Sequence, residues 1–138
     1  MNFASAPASA GRRAPDSRAP FLYFSPGMPA WDYDCIVVGA GPGGLVSALY
    51  LRRFRRKVLL VSSGRPRAYW APRIRNLLGY TEGIPGRVLI QRISRQIDAL
   101  GKVDRLEAQV TVSRCDAGFE VVTDSGHALT ARKVILAT

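Results

Sequence analysis

The chain has 138 residues, 47% of them apolar and 22% charged, which suits one globular domain with a core and leaves no room for two full ones. Twenty Lys and Arg stand against ten Asp and Glu, a net charge of +10 that attracts phosphates and other anions. No apolar run approaches the roughly 20 residues of a membrane-spanning helix, so the chain's own composition argues against a membrane partner.

Residues 1–31 are set apart by Ala, Ser and Pro, with Arg12, Arg13 and Arg18 and a single acid, Asp16. Pro7, Pro15, Pro20, Pro26 and Pro29 oppose a stable helix. An Arg- and Ser-rich, acid-poor leader suggests a transit peptide, and an arginine pair suggests a twin-arginine signal. The first needs an amphipathic helix and the second an apolar stretch longer than Phe21–Phe24. A disordered leader, or sequence upstream of a start at Met28, is the expectation for 1–31, with the folded domain at 32–138.

Cys35–Val38 is a short β-branched apolar run, as in a strand buried on both faces. Gly39-Ala40-Gly41-Pro42-Gly43-Gly44 follows at once and matches G-x-G-x-x-G through Gly39, Gly41 and Gly44. In such a turn the first glycine permits the sharp exit from the strand, and the second lets backbone approach a pyrophosphate. The third lets helix and strand pack closely. Leu45–Phe54 then reads as a helix whose N-terminus offers free N–H groups to an anion, and Pro42 sacrifices no needed donor there. Its basic last turn complements the helix dipole. Val58–Val61 is a second buried strand, closed by Ser62-Ser63-Gly64. The motif thus sits in a complete βαβ unit, the context that gives it meaning.

One element of that pattern is replaced. The end of the second strand ordinarily presents Asp or Glu to a ribose hydroxyl, and here the position holds Ser62, with Ser63 beside it. Arg65 and Arg67 follow closely, so the residues alone leave two dinucleotides open: FAD, or NADP held through its 2′-phosphate. Between Cys35 and Thr81 there is no acid at all, while Arg52, Arg53, Arg55, Arg56, Lys57, Arg65, Arg67, Arg73 and Arg75 fall in the same stretch. That basic run lacks a nucleic-acid-binding motif and has no aromatic interleaving beyond Tyr69 and Trp70, so nucleic acid is not the expected partner.

Residues 64–86 carry three prolines and four glycines and read as a long ordered loop or a broken helix. Val88–Leu100 is a helix with Leu89, Ile93, Ile97 and Leu100 on one face and Gly101 as its stop. Val110–Val112 and Phe119–Thr123 are strands, Asp124-Ser125-Gly126 a turn, and Val134–Ala137 a last strand. The fold expected is α/β: a Rossmann-like βαβ parallel sheet with a small antiparallel β-meander. Cys35 reads as a core residue and Cys115 as a turn residue, with no disulfide framework, which suits a reducing, cytoplasmic setting. The lone His127 has no partner at metal-ligand spacing and reads as a surface residue.

Four landmarks in order carry a resemblance: Tyr33–Gly44, Lys57–Val61, Asn76–Gly86 (N-L-L-G-Y-T-E-G-I-P-G) and Val134–Thr138. Through them residues 33–138 resemble the N-terminal part of the FAD-dependent pyridine nucleotide oxidoreductases, most closely the thioredoxin reductase-like group. In that group the first glycine turn binds FAD, so the resemblance implies FAD as the cofactor and an FAD-binding domain left incomplete at Thr138. A Gly-Arg-Pro-Arg-like segment recurs in the group, so Arg65 and Arg67 are compatible with FAD.

Carried over residue by residue, the resemblance implies that Gly39, Ala40, Gly41, Pro42, Gly43 and Gly44 hold the pyrophosphate. It places Ser62 at the adenosine ribose, Asn76 near the flavin, Val110 near the adenine, and Ala137 and Thr138 under the cofactor, with Ser63 and Arg67 also among the cofactor-binding residues. It further implies hydride transfer from NAD(P)H through flavin, with NAD(P)H bound by a later domain of the family's chain and a homodimer as the assembly. No residue here stands where a catalytic acid, base or thiol would be expected. A remnant that binds a nucleotide without catalysis, or an NADP(H)-binding Rossmann module, is the alternative.

Overall fold

The computed structural model describes residues 30–101 and 103–138. Residues 1–29 of the expected leader lie outside them.

Tyr33–Val38 forms β1 and Val58–Ser62 forms β2, and the two pair in parallel with Cys35 opposite Val58 and Val38 opposite Val61. Between them runs α1, Pro42–Arg53. It begins three residues earlier than its apolar periodicity predicts, because Pro42 has its φ already set for a first helical turn. α1 ends on a six-residue hydrogen-bonded turn: Arg55 N–H donates to the Arg52 carbonyl at 2.9 Å and Arg56 N–H to the Leu51 carbonyl at 3.1 Å. Arg55 takes the left-handed conformation this turn requires, at φ 57°.

The 64–86 segment is ordered around a short 3-10 helix, Arg67–Trp70, and an antiparallel bridge between Ile74 and Ile84. It leads into α2, Gly86–Ala99, which stops at Leu100 and Gly101 as expected. Gly86 fixes the 3-10 helix in place. Its N–H donates to the Ala71 carbonyl at 2.9 Å, and a β-carbon there would drive into the Ala68 carbonyl.

Asp104–Glu107 is a strand, β3, that the sequence reading missed. It joins β2 in parallel, with Ser62 opposite Glu107. Its residues are charged but for the half-buried Leu106, as befits an edge strand, and an apolar alternation cannot reveal such a strand. β4 (Val110–Cys115) and β5 (Gly118–Thr123) form a tight hairpin turned by Asp116 and Ala117. β6 (Ala128–Leu136) serves both halves of the sheet: its start pairs antiparallel with β5, and from Ala131 onward it pairs in parallel with β1. The six-stranded order is β3-β2-β1-β6-β5-β4.

Both faces of the parallel strands are covered. Cys35, Val37, Val58 and Leu60 meet Leu45, Ala48 and Leu49 of α1 and Ile90 and Ile97 of α2. On the opposite face Ile36, Leu59 and Val61 pack with Val121, Ala131 and, partly buried, Val110 and Val112, so the hairpin covers the side away from the helices. Ile36 and Val37 are both fully buried, which is why this run carries no period-2 alternation. The start of the domain is tied down by Asp32, whose Oδ2 accepts 2.8 Å hydrogen bonds from both the backbone N–H and the hydroxyl of Thr130. Among the described residues no helix is long and apolar enough to cross a membrane.

Candidate dinucleotide site

The strands β2, β1 and β6 deliver their carboxyl ends to one edge of the sheet, where the chain leaves β1 for α1 on one side and returns through β6 on the other. Open α/β sheets form their binding crevice at such a switch point. Here it is a cleft of about 430 Å³, floored by Gly39–Gly43 and walled by Ser62–Ala68, Ala108, Ala137 and Thr138.

The turn is held rigidly by backbone bonds. Gly39 N–H donates to the Val61 carbonyl at 2.7 Å and Ala137 N–H to the Val38 carbonyl at 2.8 Å, so the ends of the three strands are locked side by side. Gly39 sits at φ +110°, and a β-carbon there would strike the Ala137 carbonyl. A β-carbon on Gly44 would strike the Gly39 carbonyl. Gly41 differs: a β-carbon there would meet only the Ala137 oxygen, at 3.9 Å, and otherwise open cleft. Two glycines are thus needed for the turn to exist, and the third leaves room for something that approaches it.

The start of α1 suits an anion. The first helical hydrogen bond of α1 runs from Leu45 N–H to the Gly41 carbonyl at 2.9 Å. The N-cap Gly41 offers no side-chain cap, and the first turn holds no acid. The leading N–H groups therefore have no protein side chain as a cap, and they carry the positive end of the helix dipole. Neither Asp nor Glu lines the cleft. The residues present fit the pyrophosphate of a dinucleotide cofactor.

Of the residues singled out from the sequence, Gly39–Gly43, Ser62, Ser63, Arg67, Ala137 and Thr138 converge on this cleft. Gly44 lies beneath it as a buried contact of Gly39. Asn76 and Val110 are not brought to it: Asn76 is exposed in the loop beyond Ile74, and Val110 packs against the core face away from the helices. Ala108, two residues before Val110, lines the cleft instead and donates its N–H to the Ser62 carbonyl at 3.1 Å. Arg65, weighed from the sequence for its charge, also lines it, as do Gly64, Pro66 and Ala68, for which the Gly/Pro punctuation after β2 was the only signal.

The cleft contains no thiol, imidazole or carboxyl among its lining residues. Cys35 is buried under α1 with its thiol pushed above the ordinary value by that burial, and Cys115 is exposed at the β4–β5 turn. His127 is exposed beside the β5–β6 turn. Among the described residues no group of His, Cys, Asp or Glu is placed to hold a metal. Its polar side chains are the hydroxyls of Ser62, Ser63 and Thr138 and the guanidinium groups of Arg65 and Arg67.

Residues 33–138 match the family model described as pyridine nucleotide-disulphide oxidoreductase. The chain belongs to that family. The thioredoxin reductase of Treponema pallidum (strain Nichols) is 35% identical over 109 residues, covering 78% of this chain and 35% of that protein. In structure, the thioredoxin reductase of Lactococcus lactis superposes with a TM-score of 0.70 at 28% identity, over 78% of this chain and 35% of that one. An oxidoreductase from Agrobacterium tumefaciens gives a TM-score of 0.66 at 32% identity, over 75% of this chain and 35% of that one. The chain therefore spans about a third of the length of the relatives it matches. As a family member with thioredoxin reductase-like relatives, it is a flavoprotein-type Rossmann fold with an α/β sheet that is parallel in one half and antiparallel in the other.

Proposed function

We propose that residues 33–138 are the FAD-binding part of an NAD(P)H-dependent oxidoreductase resembling thioredoxin reductase. The observation that carries this reading is the cleft at the end of β1, where Gly41 admits a ligand to an uncapped helix N-terminus. Gly41, Gly43 and Gly44 hold the pyrophosphate through backbone N–H groups, and Gly39 and Gly44 keep the turn tight. Ser62 and Ser63 face the adenosine ribose, with hydroxyls in place of a carboxylate. Ala137 and Thr138 bring the end of β6 against the cofactor. FAD, when bound, accepts a hydride from a nicotinamide and passes the electrons to an acceptor. The chain's own residues supply position and a positive surrounding for the cofactor; the donor site, the acceptor, the homodimer and a cytoplasmic setting belong to the protein that uses this cleft.

The test is optical. The full chain is purified, mixed with FAD and freed of excess, and its visible spectrum recorded. A retained flavin band supports the reading, and a colourless protein that takes up no added FAD contradicts it.

A further inference from the structure

Two arginines, Arg65 and Arg67, follow β2 and lie outside the glycine turn proposed to hold the pyrophosphate. Arg65 and Arg67 line the cleft together with Ser62 and Ser63. Arg65 is held in place by an aromatic pair: its guanidinium carbon lies 5.0 Å from the Tyr69 ring centre and 5.8 Å from that of Trp70. The two rings themselves meet edge to face at 5.1 Å. Stacking of this kind orients a guanidinium while leaving its in-plane N–H groups available. Arg67 opens the 3-10 helix that Gly86 pins against α2.

Among the described residues no ion pair neutralises these charges. Among the described residues the ion pair found is Arg105 with Asp98, and no carboxylate meets Arg65 or Arg67. Glu107, opposite Ser62 in the β2–β3 register, does not line the cleft. The acid that would repel a phosphate at the end of β2 is Ser62 instead.

We propose that Ser62, Ser63, Arg65 and Arg67 form a phosphate subsite at the adenosine end of the cleft, which takes a phosphate monoester carried on the adenosine ribose. The inference rests on the assignment of this cleft to the adenylate half of a dinucleotide. It adds that adenylates bearing a ribose phosphate compete for the site and are preferred there over those without one. A 2′-phosphate and a 3′-phosphate share this chemistry.

Calorimetric titration of the full chain with 5′-AMP, adenosine 2′,5′-bisphosphate and adenosine 3′,5′-bisphosphate reads the subsite directly, since the ligands differ only in the ribose phosphate. At least one bisphosphate is expected to bind about tenfold or more tightly than 5′-AMP, the gain charge-assisted hydrogen bonds confer. Whichever isomer wins identifies the phosphate's position. The preference should shrink as salt rises. In the Arg65→Ala/Arg67→Ala variant the ratio should fall to about one, with an unchanged circular dichroism spectrum as the control for folding. The Arg65→Lys/Arg67→Lys variant should keep part of it. Equal binding of all three nucleotides, or a preference that survives loss of both arginines, overturns the proposal. FAD titrated alongside separates the two readings. FAD binding without the preference removes the subsite alone, and the preference without FAD binding removes the flavin reading alone. No binding by any of them removes both.

Discussion

Gly44 and Gly39 share one volume: the space a β-carbon on Gly44 would occupy is filled by the Gly39 carbonyl oxygen. That contact sets α1 against the end of β1 and so fixes where the helix N-terminus faces the cleft. Gly44→Ala must push helix from strand in a fully packed region. A loss of about 2–3 kcal/mol in stability is expected, seen as a melting temperature lower by roughly 10 °C. A thermal melt followed by circular dichroism checks it, and an unchanged melting temperature would show that the turn has slack.

Gly41→Ala separates binding from folding. The added methyl meets only an oxygen at 3.9 Å and points otherwise into the cleft, so stability should change by no more than about 1 kcal/mol, the range for a cap exchange. FAD affinity should fall by about tenfold or more, because the methyl stands where the pyrophosphate approaches backbone. Paired melts and flavin-fluorescence titrations would expose the opposite pattern if the cleft bound its ligand elsewhere.

Arg55→Gly should stabilise the chain. Arg55 occupies the left-handed position of the turn that ends α1, at φ 57°, where an L side chain costs about 1–2 kcal/mol. Glycine removes that cost but returns about 0.5–1 kcal/mol through its freer unfolded state, leaving a net gain of roughly 0.5–1 kcal/mol. Chemical denaturation of the two proteins measures the difference, and a less stable variant would mean that the Arg55 side chain contributes contacts that outweigh its backbone strain.

The bonds from the Thr130 backbone and then its hydroxyl hold the Asp32 carboxyl below its ordinary value. A depressed folded-state value means stability that is present above the unfolded value, about 3.9, and lost as pH falls through the folded one. Asp32 is exposed, so screening keeps the contribution of the pair small, about 0.5–1 kcal/mol at neutral pH. Asp32→Asn should therefore melt lower than the parent at pH 7, and the gap should close in strong acid. A gap that stays constant from pH 7 to pH 2 would place the effect in packing instead of charge.

The parts of the fold legible in the sequence are those in which one signal dominates. The β1–α1–β2 unit announces itself through two apolar runs around a glycine turn, and α2 through its single apolar face. β3 was hidden because an edge strand beside charged solvent needs only Leu106 to face the core. β6 was read only from Val134, although its first residues pair with the hairpin and its parallel pairing with β1 starts at Ala131. At the site, the glycines were read from mechanics alone and do meet at the cleft. Asn76 and Val110 came only from resemblance, and the cleft lining omits both. Ala108 was reachable only through pairing: it enters because β3 lies beside β2, and that strand had no sequence signal.

The most direct test of the account is an FAD titration of the full chain beside its Gly41→Ala variant, read by quenching of flavin fluorescence. Saturable, stoichiometric binding to the parent chain, weakened by about tenfold or more in the variant, is the predicted result. Failure of the parent to bind FAD, or equal binding by both proteins, would contradict the assignment of the Gly39–Gly44 cleft as a flavin dinucleotide site.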